Sequence, residues 1–271
     1  MDIKKIYITL FILIFSINIL YAQDDTFPYE LKNQDLLLIP LGAGLSIGSE
    51  YLSGQTDHPD ICEIETLKRK MINGFDRCAT YNWSSRWADR SDLSRNILIF
   101  SALLSSVPSA FQGEYSHTIT LGTMMLESLL LLRNVTYLTK IITHRNRPYL
   151  YNTALSAEKR YEFYKEHSSF SFYSGHTSAA FLAATFLSKV VTDIHGFSTS
   201  TKILWGVSVT AAALTGYARY KAGMHYPSDI ITGALVGSAA GYLVTTLHRK
   251  SRKNRISINV FPHHISFRLY F

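Results

Sequence analysis

Three short stretches of this chain carry residue types able to grip an anion and do chemistry on it. In the first, Lys140, His144 and Arg147 stand at i, i+4 and i+7, with Pro148 following. A helix would place all three on one face, and the proline biases Arg147 out of the helix, at its mouth. An ammonium point charge and a guanidinium fork aimed at one spot suit the oxygens of a phosphoryl group. The same residues also read as a basic helix end snorkelling at a membrane interface. In the second stretch, Ser174-Gly175-His176 opens an apolar run. Ser174 can cap a helix there, which turns the amides of Gly175 and His176 outward at its positive end, a ready anion site. His176 could deliver a proton to a leaving group; the bland alternative is an ordinary capped helix start. The third stretch runs from Arg219 to Asp229. Pro227 fits the first position of a helix, with His225 just ahead of it and Asp229 in its first turn. Asp229 could accept a hydrogen bond from one imidazole nitrogen of His225 and leave the other free to attack. Otherwise it only favours the helix dipole.

Each stretch is weak alone. Together they supply three cations, two histidines, a carboxylate and a set of backbone amides, which would form a phosphate cradle if the helix ends converge. The elements that must bring them together are helical. Apolar segments run over Leu36–Ile47, Ile97–Phe111, Ile119–Ile142, Ser178–Val191, Ile203–Tyr217 and Ile230–Leu247. Their lengths and the lack of alternation predict an all-α bundle of six helices. Alternation appears only in Ile256–Val260 and Ile265–Phe271, which predict a short C-terminal β-hairpin. Gly233, Gly237 and Gly241 recur every four residues and make a smooth face for close helix contact.

The chain divides into residues 1–22, 23–96, 97–250 and 251–271: a leader, an N-terminal helical region, a core with the chemistry, and a basic tail. Lys4 and Lys5 precede an apolar run, Ile6–Leu20, and Tyr21-Ala22-Gln23 follows. This is the pattern of a secretory signal, or of an uncleaved anchor, and it predicts export to the cell envelope. The net charge of +7 is concentrated over residues 140–160 and 248–255. No nucleic-acid module accompanies those patches, so phosphate-bearing substrates or an anionic membrane fit them better. If the last helix spans a membrane, its basic end should lie inside and the chemistry at its start outside. If the signal is also cleaved, Leu36–Ile47, broken by Pro40, Gly42 and Gly44, should fall short of a full span. Cys62 and Cys78 either pair in an oxidising compartment or stay free. Without a CxxC or HExxH pattern, no metal or other cofactor is expected.

The three stretches, in this order, resemble the motifs of the type 2 phosphatidic acid phosphatase superfamily. That superfamily also holds class A acid phosphatases and vanadium haloperoxidases. Lys140 to Pro148 matches the first motif in full. Ser174-Gly175-His176 matches the second with Tyr173 in place of proline, and Arg219, His225 and Asp229 match the third with Ala218 in place of serine. The resemblance covers roughly residues 97–247. It implies that His225 attacks phosphorus, Asp229 holds its tautomer and His176 serves the leaving group. Lys140, Arg147, Ser174, Gly175 and Arg219 would bind the phosphoryl oxygens. His144 is expected to pack or support rather than react. The aromatic stretch from Tyr149 to Tyr173 reads either as a lid or lipid-facing belt, or as local packing over the site.

The function this predicts is metal-independent hydrolysis of a phosphate monoester or pyrophosphate, carried by a lipid and met outside the cytoplasm at the inner membrane. The alternatives are a soluble-type, broad-specificity periplasmic acid phosphatase, a vanadate-dependent haloperoxidase, and a non-enzymatic membrane protein. Intact His225, His176 and Asp229 argue against the last.

Overall fold

The structure is a computed structural model, and it describes residues 27–105, 114–163 and 168–250, together with the backbone of 256–261 and 264–269. The expected leader, 1–22, lies outside the described residues. Among the described residues six long helices carry the architecture: α1 (Asp35–Gly54), α3 (Ser85–Leu104), α4 (Tyr115–Thr143), α6 (Gly175–His195), α7 (Thr199–Lys221) and α8 (Pro227–Leu247). Two short helices, α2 (Ile61–Thr66) and α5 (Ala157–Glu162), and three 3₁₀ turns fill the connections. The expected all-α bundle of six helices is what forms. Strands β1 (Ile256–Phe261) and β2 (His264–Leu269) pair antiparallel as the terminal hairpin.

Local chemistry sets several of these starts. Ser84, Ser174 and Ser198 lie in extended backbone and accept the amides of Trp87, Thr177 and Thr201 as N-caps. Pro227 opens α8, where its missing N–H costs nothing. Two helices depart from their apolar runs. The second begins a dozen residues earlier than Ile97, because the first half of α3 is polar and packs toward the site. Helix α1 runs unbroken through Pro40, contrary to the expected interruption. Pro40 is the sixth residue of α1, so it removes a single i→i−4 bond close to the helix start. Helix α4 touches it two residues on: Asn134 Nδ2 donates to the Gly42 carbonyl at 2.9 Å, as does the hydroxyl of Ser46 from α1 itself.

Helix α6 forms the middle of the bundle, with Leu182, Phe186 and Leu187 fully buried. Helix α8 lies directly on it. A Cβ on Gly233 or Gly241 would stand 2.7 Å from the Ser174 or Leu182 carbonyl oxygen, and one on Gly237 would run into the Ser178 backbone. The glycine face is therefore a backbone-to-backbone contact, as its spacing predicts.

The helices alternate in direction. Asp35, Glu127 and His248 meet at one rim. Lys140, His176, Arg219 and His225 meet at the opposite rim. At the first rim the segment before α1 is stitched to the end of α8. Tyr29 bridges Arg249, the Glu30 amide donates to the His248 carbonyl (2.9 Å), and the Lys250 amide to the Pro28 carbonyl (2.8 Å). By length and composition α6 and α8 are apolar enough to cross a membrane, although α6 is largely a buried core helix. Large apolar side chains stand exposed on the outside of the bundle, among them Leu37 and Ile47 on α1, Leu138 and Ile142 on α4, and Leu235 and Tyr242 on α8. Cys62 and Cys78 are both exposed free thiols, not a disulfide.

Candidate active site

Lys140, Arg147, His176, Arg219 and His225 line one cavity of about 110 Å³, together with Tyr137 and Phe170. That is room for several waters, and hence for a phosphoryl group. Lys140 arrives on the last turn of α4. Arg147 lies outside that helix, as the following proline predicts: α4 ends at Thr143, and His144 turns left-handed with φ 43°. Arg147 comes instead on extended backbone ahead of the 3₁₀ turn Pro148–Tyr151. It is 3 % exposed, its backbone amide is tied to the Ser168 carbonyl at 2.9 Å, and Nη1 rests on Met224 Sδ. His144 is exposed and lies beside Phe170, with ring centroids 6.5 Å apart. Arg219, near the end of α7, is equally buried and donates to the Ser91 hydroxyl on α3 at 3.2 Å. A hydroxyl from another helix thus contacts the arginine whose preceding residue is Ala218.

His225 is fully buried in the loop before α8. Its Nδ1 lies 2.7 Å from the Ser171 carbonyl oxygen. A carbonyl can only accept, so Nδ1 carries the proton and Nε2 keeps its lone pair. Burial, followed by the charges of Arg147, Arg219 and Lys140, holds this imidazole well below its usual pKa. It stands neutral near pH 7, with the Nε2 lone pair unprotonated.

Asp229 is placed differently from the expectation. Its Oδ2 is 3.7 Å from His225 Nδ1, beyond hydrogen-bond reach. Both oxygens are occupied elsewhere. Oδ2 accepts the Ser171 hydroxyl (2.5 Å) and the Tyr226 amide (3.0 Å), and Oδ1 takes Arg145 at 2.5 Å. Asp229 therefore anchors Ser171, whose carbonyl orients the histidine. The reason is local: as third residue of α8 the carboxylate folds back on the helix's own first amide, leaving the loop carbonyl nearest the ring.

Ser174 also turns away from the cavity. Fully buried, its hydroxyl caps α6 and contacts the Thr177 hydroxyl at 2.8 Å. Gly175 sits against the cradle: a Cβ there would be 3.3 Å from Thr136 Cγ2 and 3.7 Å from Lys140 Nζ. The Tyr173 hydroxyl accepts from Thr136 at 3.0 Å. Among the described residues of the aromatic stretch, Tyr149, Tyr151, Phe170 and Tyr173 are buried and Tyr161, Phe163 and Phe172 are half-buried.

Several residues that sequence spacing does not expose complete the arrangement. His176 Nε2 is bonded to the Asp92 carboxylate, and Arg95 Nη1 lies 2.6 Å from the same nitrogen. Both partners come from the polar half of α3. Arg145, an unassigned position between Lys140 and Arg147, bridges Asp229 and Asp76, reaching the latter at 2.7 Å. Asp76 in turn accepts the Ser228 amide (3.0 Å) and hydroxyl (2.7 Å). Burial opposes its ionisation, but these donors and Arg145 together hold its carboxyl below the usual carboxylate range.

The PAP2 superfamily model matches residues 118–253, just over half of the chain. The chain belongs to the PAP2 superfamily. The match takes in every motif residue in the cavity, and it supports a hydrolase, a phosphatase of that superfamily. Among solved structures, the PAP2 chain is similar to a transmembrane PAP2-type phosphatidylglycerolphosphate phosphatase from Bacillus subtilis. The identity is 18% over 83% of this chain and 100% of that one, with a TM-score of 0.40. No curated protein matches it.

Proposed function

We propose that this PAP2 protein hydrolyses a phosphate monoester or pyrophosphate of a lipid, without metal, through a phosphohistidine. The observation that carries the reading is the buried imidazole of His225, its Nδ1 proton committed to a carbonyl, on a cavity shared with Lys140, Arg147 and Arg219. Nε2 attacks phosphorus as the bond to the leaving oxygen breaks. The three cations neutralise charge on the transferring group, the service a metal gives elsewhere. His176, held by Asp92, gives its proton to the departing oxygen. It then takes one from the water that splits the P–N bond, which releases phosphate and restores Nε2.

A lipid substrate is supported by the apolar side chains exposed around the bundle, since soluble monomers seldom expose large contiguous apolar surface. We place the bundle in the inner membrane with the basic end of α8 inside, by the positive-inside rule, and the catalytic rim outward. The test uses the full chain in detergent with EDTA. Phosphate release from micellar phosphatidic acid, phosphatidylglycerol phosphate and polyprenyl diphosphate is compared with release from p-nitrophenyl phosphate. Hydrolysis of a lipid, lost in His225→Ala together with an acid-labile phosphoenzyme, is the expected result. Equal rates on soluble esters would instead make it a broad-specificity phosphatase, and no hydrolysis of any substrate would refute the assignment.

A further inference from the structure

At the rim opposite the cradle, three metal-ligating side chains from distant parts of the sequence meet. Asp35 begins α1, Glu127 lies within α4, and His248 follows the last residue of α8. All three are buried, at 3 %, 9 % and 3 % exposure. His248 Nε2 is 3.2 Å from Asp35 Oδ2 and 3.2 Å from Glu127 Oε2, and the three donor atoms fall within 4.8 Å of one another.

Hydrogen bonding makes this a demand for positive charge. His248 Nδ1 lies 2.9 Å from the Val244 carbonyl oxygen, so it carries the ring proton. The neutral ring then turns a bare lone pair toward two carboxylates. Asp35 Oδ2 also accepts the Lys32 amide at 2.6 Å. The second oxygen of each carboxylate, Asp35 Oδ1 and Glu127 Oε1, is buried with no hydrogen-bond partner. Leaving buried carboxylate oxygens unsatisfied is costly. A cation at the focus of the three groups would take the lone pair together with Asp35 Oδ2 and Glu127 Oε2, and would neutralise the charge that each carboxylate shares with its unpartnered second oxygen. Zinc binds imidazole nitrogen and carboxylate oxygen at about 2.0–2.2 Å, which at a tetrahedral angle sets ligand atoms about 3.3 Å apart. The two spacings of 3.2 Å fit that. A carbonyl-oriented imidazole is the usual outer support of such a ligand.

We propose that Asp35, Glu127 and His248 form a structural site for a divalent transition cation of the zinc class. An imidazole with only two carboxylates favours such an ion over calcium, which takes six to eight oxygens. The site would staple α1 and α4 to the end of α8, about 28 Å along α8 from the catalytic end. It has no part in the proposed hydrolysis and stands independently of it.

The experiment uses the full chain in detergent, stripped with EDTA and dialysed. Zn²⁺ alone is then titrated by calorimetry, bound metal is counted by mass spectrometry, and thermal unfolding is followed with and without Zn²⁺. The expected result is one Zn²⁺ per chain and a rise in Tm of about 5–10 °C at a hundredfold excess over Kd. Mg²⁺ should give neither. Glu127→Gln should weaken Zn²⁺ binding at least ~10-fold while phosphate release in EDTA stays unchanged. His225→Ala, whose ring lies in the other cluster of histidines, should bind Zn²⁺ as the wild type does. Failure of the wild type to bind Zn²⁺ stoichiometrically or to gain Tm would overturn the site and leave a proton bridging the three groups. Unaltered binding in Glu127→Gln would do the same, and the wild-type Tm comparison decides even where that variant fails to fold.

Discussion

Replacing Asp229 by asparagine separates two jobs a carboxylate can do beside a nucleophilic histidine. One is to hold the ring's proton on the correct nitrogen, and the other is to stabilise the positive charge the ring gains once phosphorylated. The Ser171 carbonyl does the first, at 2.7 Å from Nδ1. Asp229, 3.7 Å away, is left with the second. At an effective dielectric of about 20, opposite charges at that distance attract by about 4.5 kcal/mol. Arg145, 2.5 Å from the other carboxylate oxygen, offsets about half of this, leaving about 2 kcal/mol, or roughly 30-fold in rate. Asp229→Asn should therefore lower kcat by about 10- to 100-fold with KM nearly unchanged, because the residue does not line the cavity. Single-turnover phosphoenzyme formation on a well-folded variant is the assay. A loss near ~10⁴, typical of a carboxylate that sets the tautomer, would refute the assignment of that role to Ser171. A loss under about threefold would show that the field of Asp229 does not reach the reacting ring.

Further outcomes follow from other contacts. The acid limb of kcat/KM should lie below pH 6.5: the reactive form of His225 is neutral, and its lowered pKa keeps it neutral as the pH falls. A limb at or above pH 6.5 would contradict the burial and the cations around it. Asp92→Asn should slow esters with poor leaving groups by about tenfold or more yet barely affect p-nitrophenyl phosphate, because an activated leaving group needs little proton donation from His176. Steady-state kinetics on the two substrate classes checks this. Gly237→Ala should lower Tm by about 3–8 °C, since its Cβ would collide with the Ser178 backbone. Gly44→Ala, with nothing within 4 Å, should leave Tm unchanged or slightly raised.

The cradle was legible because its residues sit at fixed offsets from helix starts and ends: Lys140 with Pro148, Ser174-Gly175-His176, and His225 with Pro227. Side chains that answer to those residues from other helices were not. Asp92 and Arg95 lie in the polar half of α3, and a search for apolar runs begins that helix only at Ile97. The role of Asp229 followed the i+4 offset from His225. Offset alone does not show that the carboxylate would turn to its own helix and a carbonyl from residue 171 would take the ring. Pro40 suggested a broken helix, yet so close to the start of α1 it removes only one backbone bond, and the packing of α1 on α4 does not depend on that bond. Asp35, Glu127 and His248 have no common spacing at all, so no motif search would assemble them.

The bridge between Tyr29 and Arg249 has a bearing on topology. Six alternating passes bring the chain back to the rim where it started, so parity fixes both flanks together. A reporter joined ahead of Phe27 and one joined after Lys250 must report from the same compartment if the six helices cross a bilayer. A basic tail held inside keeps Phe27 inside as well. An outward-facing cradle and a leader that delivers Phe27 outside are thus mutually exclusive in this fold, and the pair of reporters tells which one the cell uses.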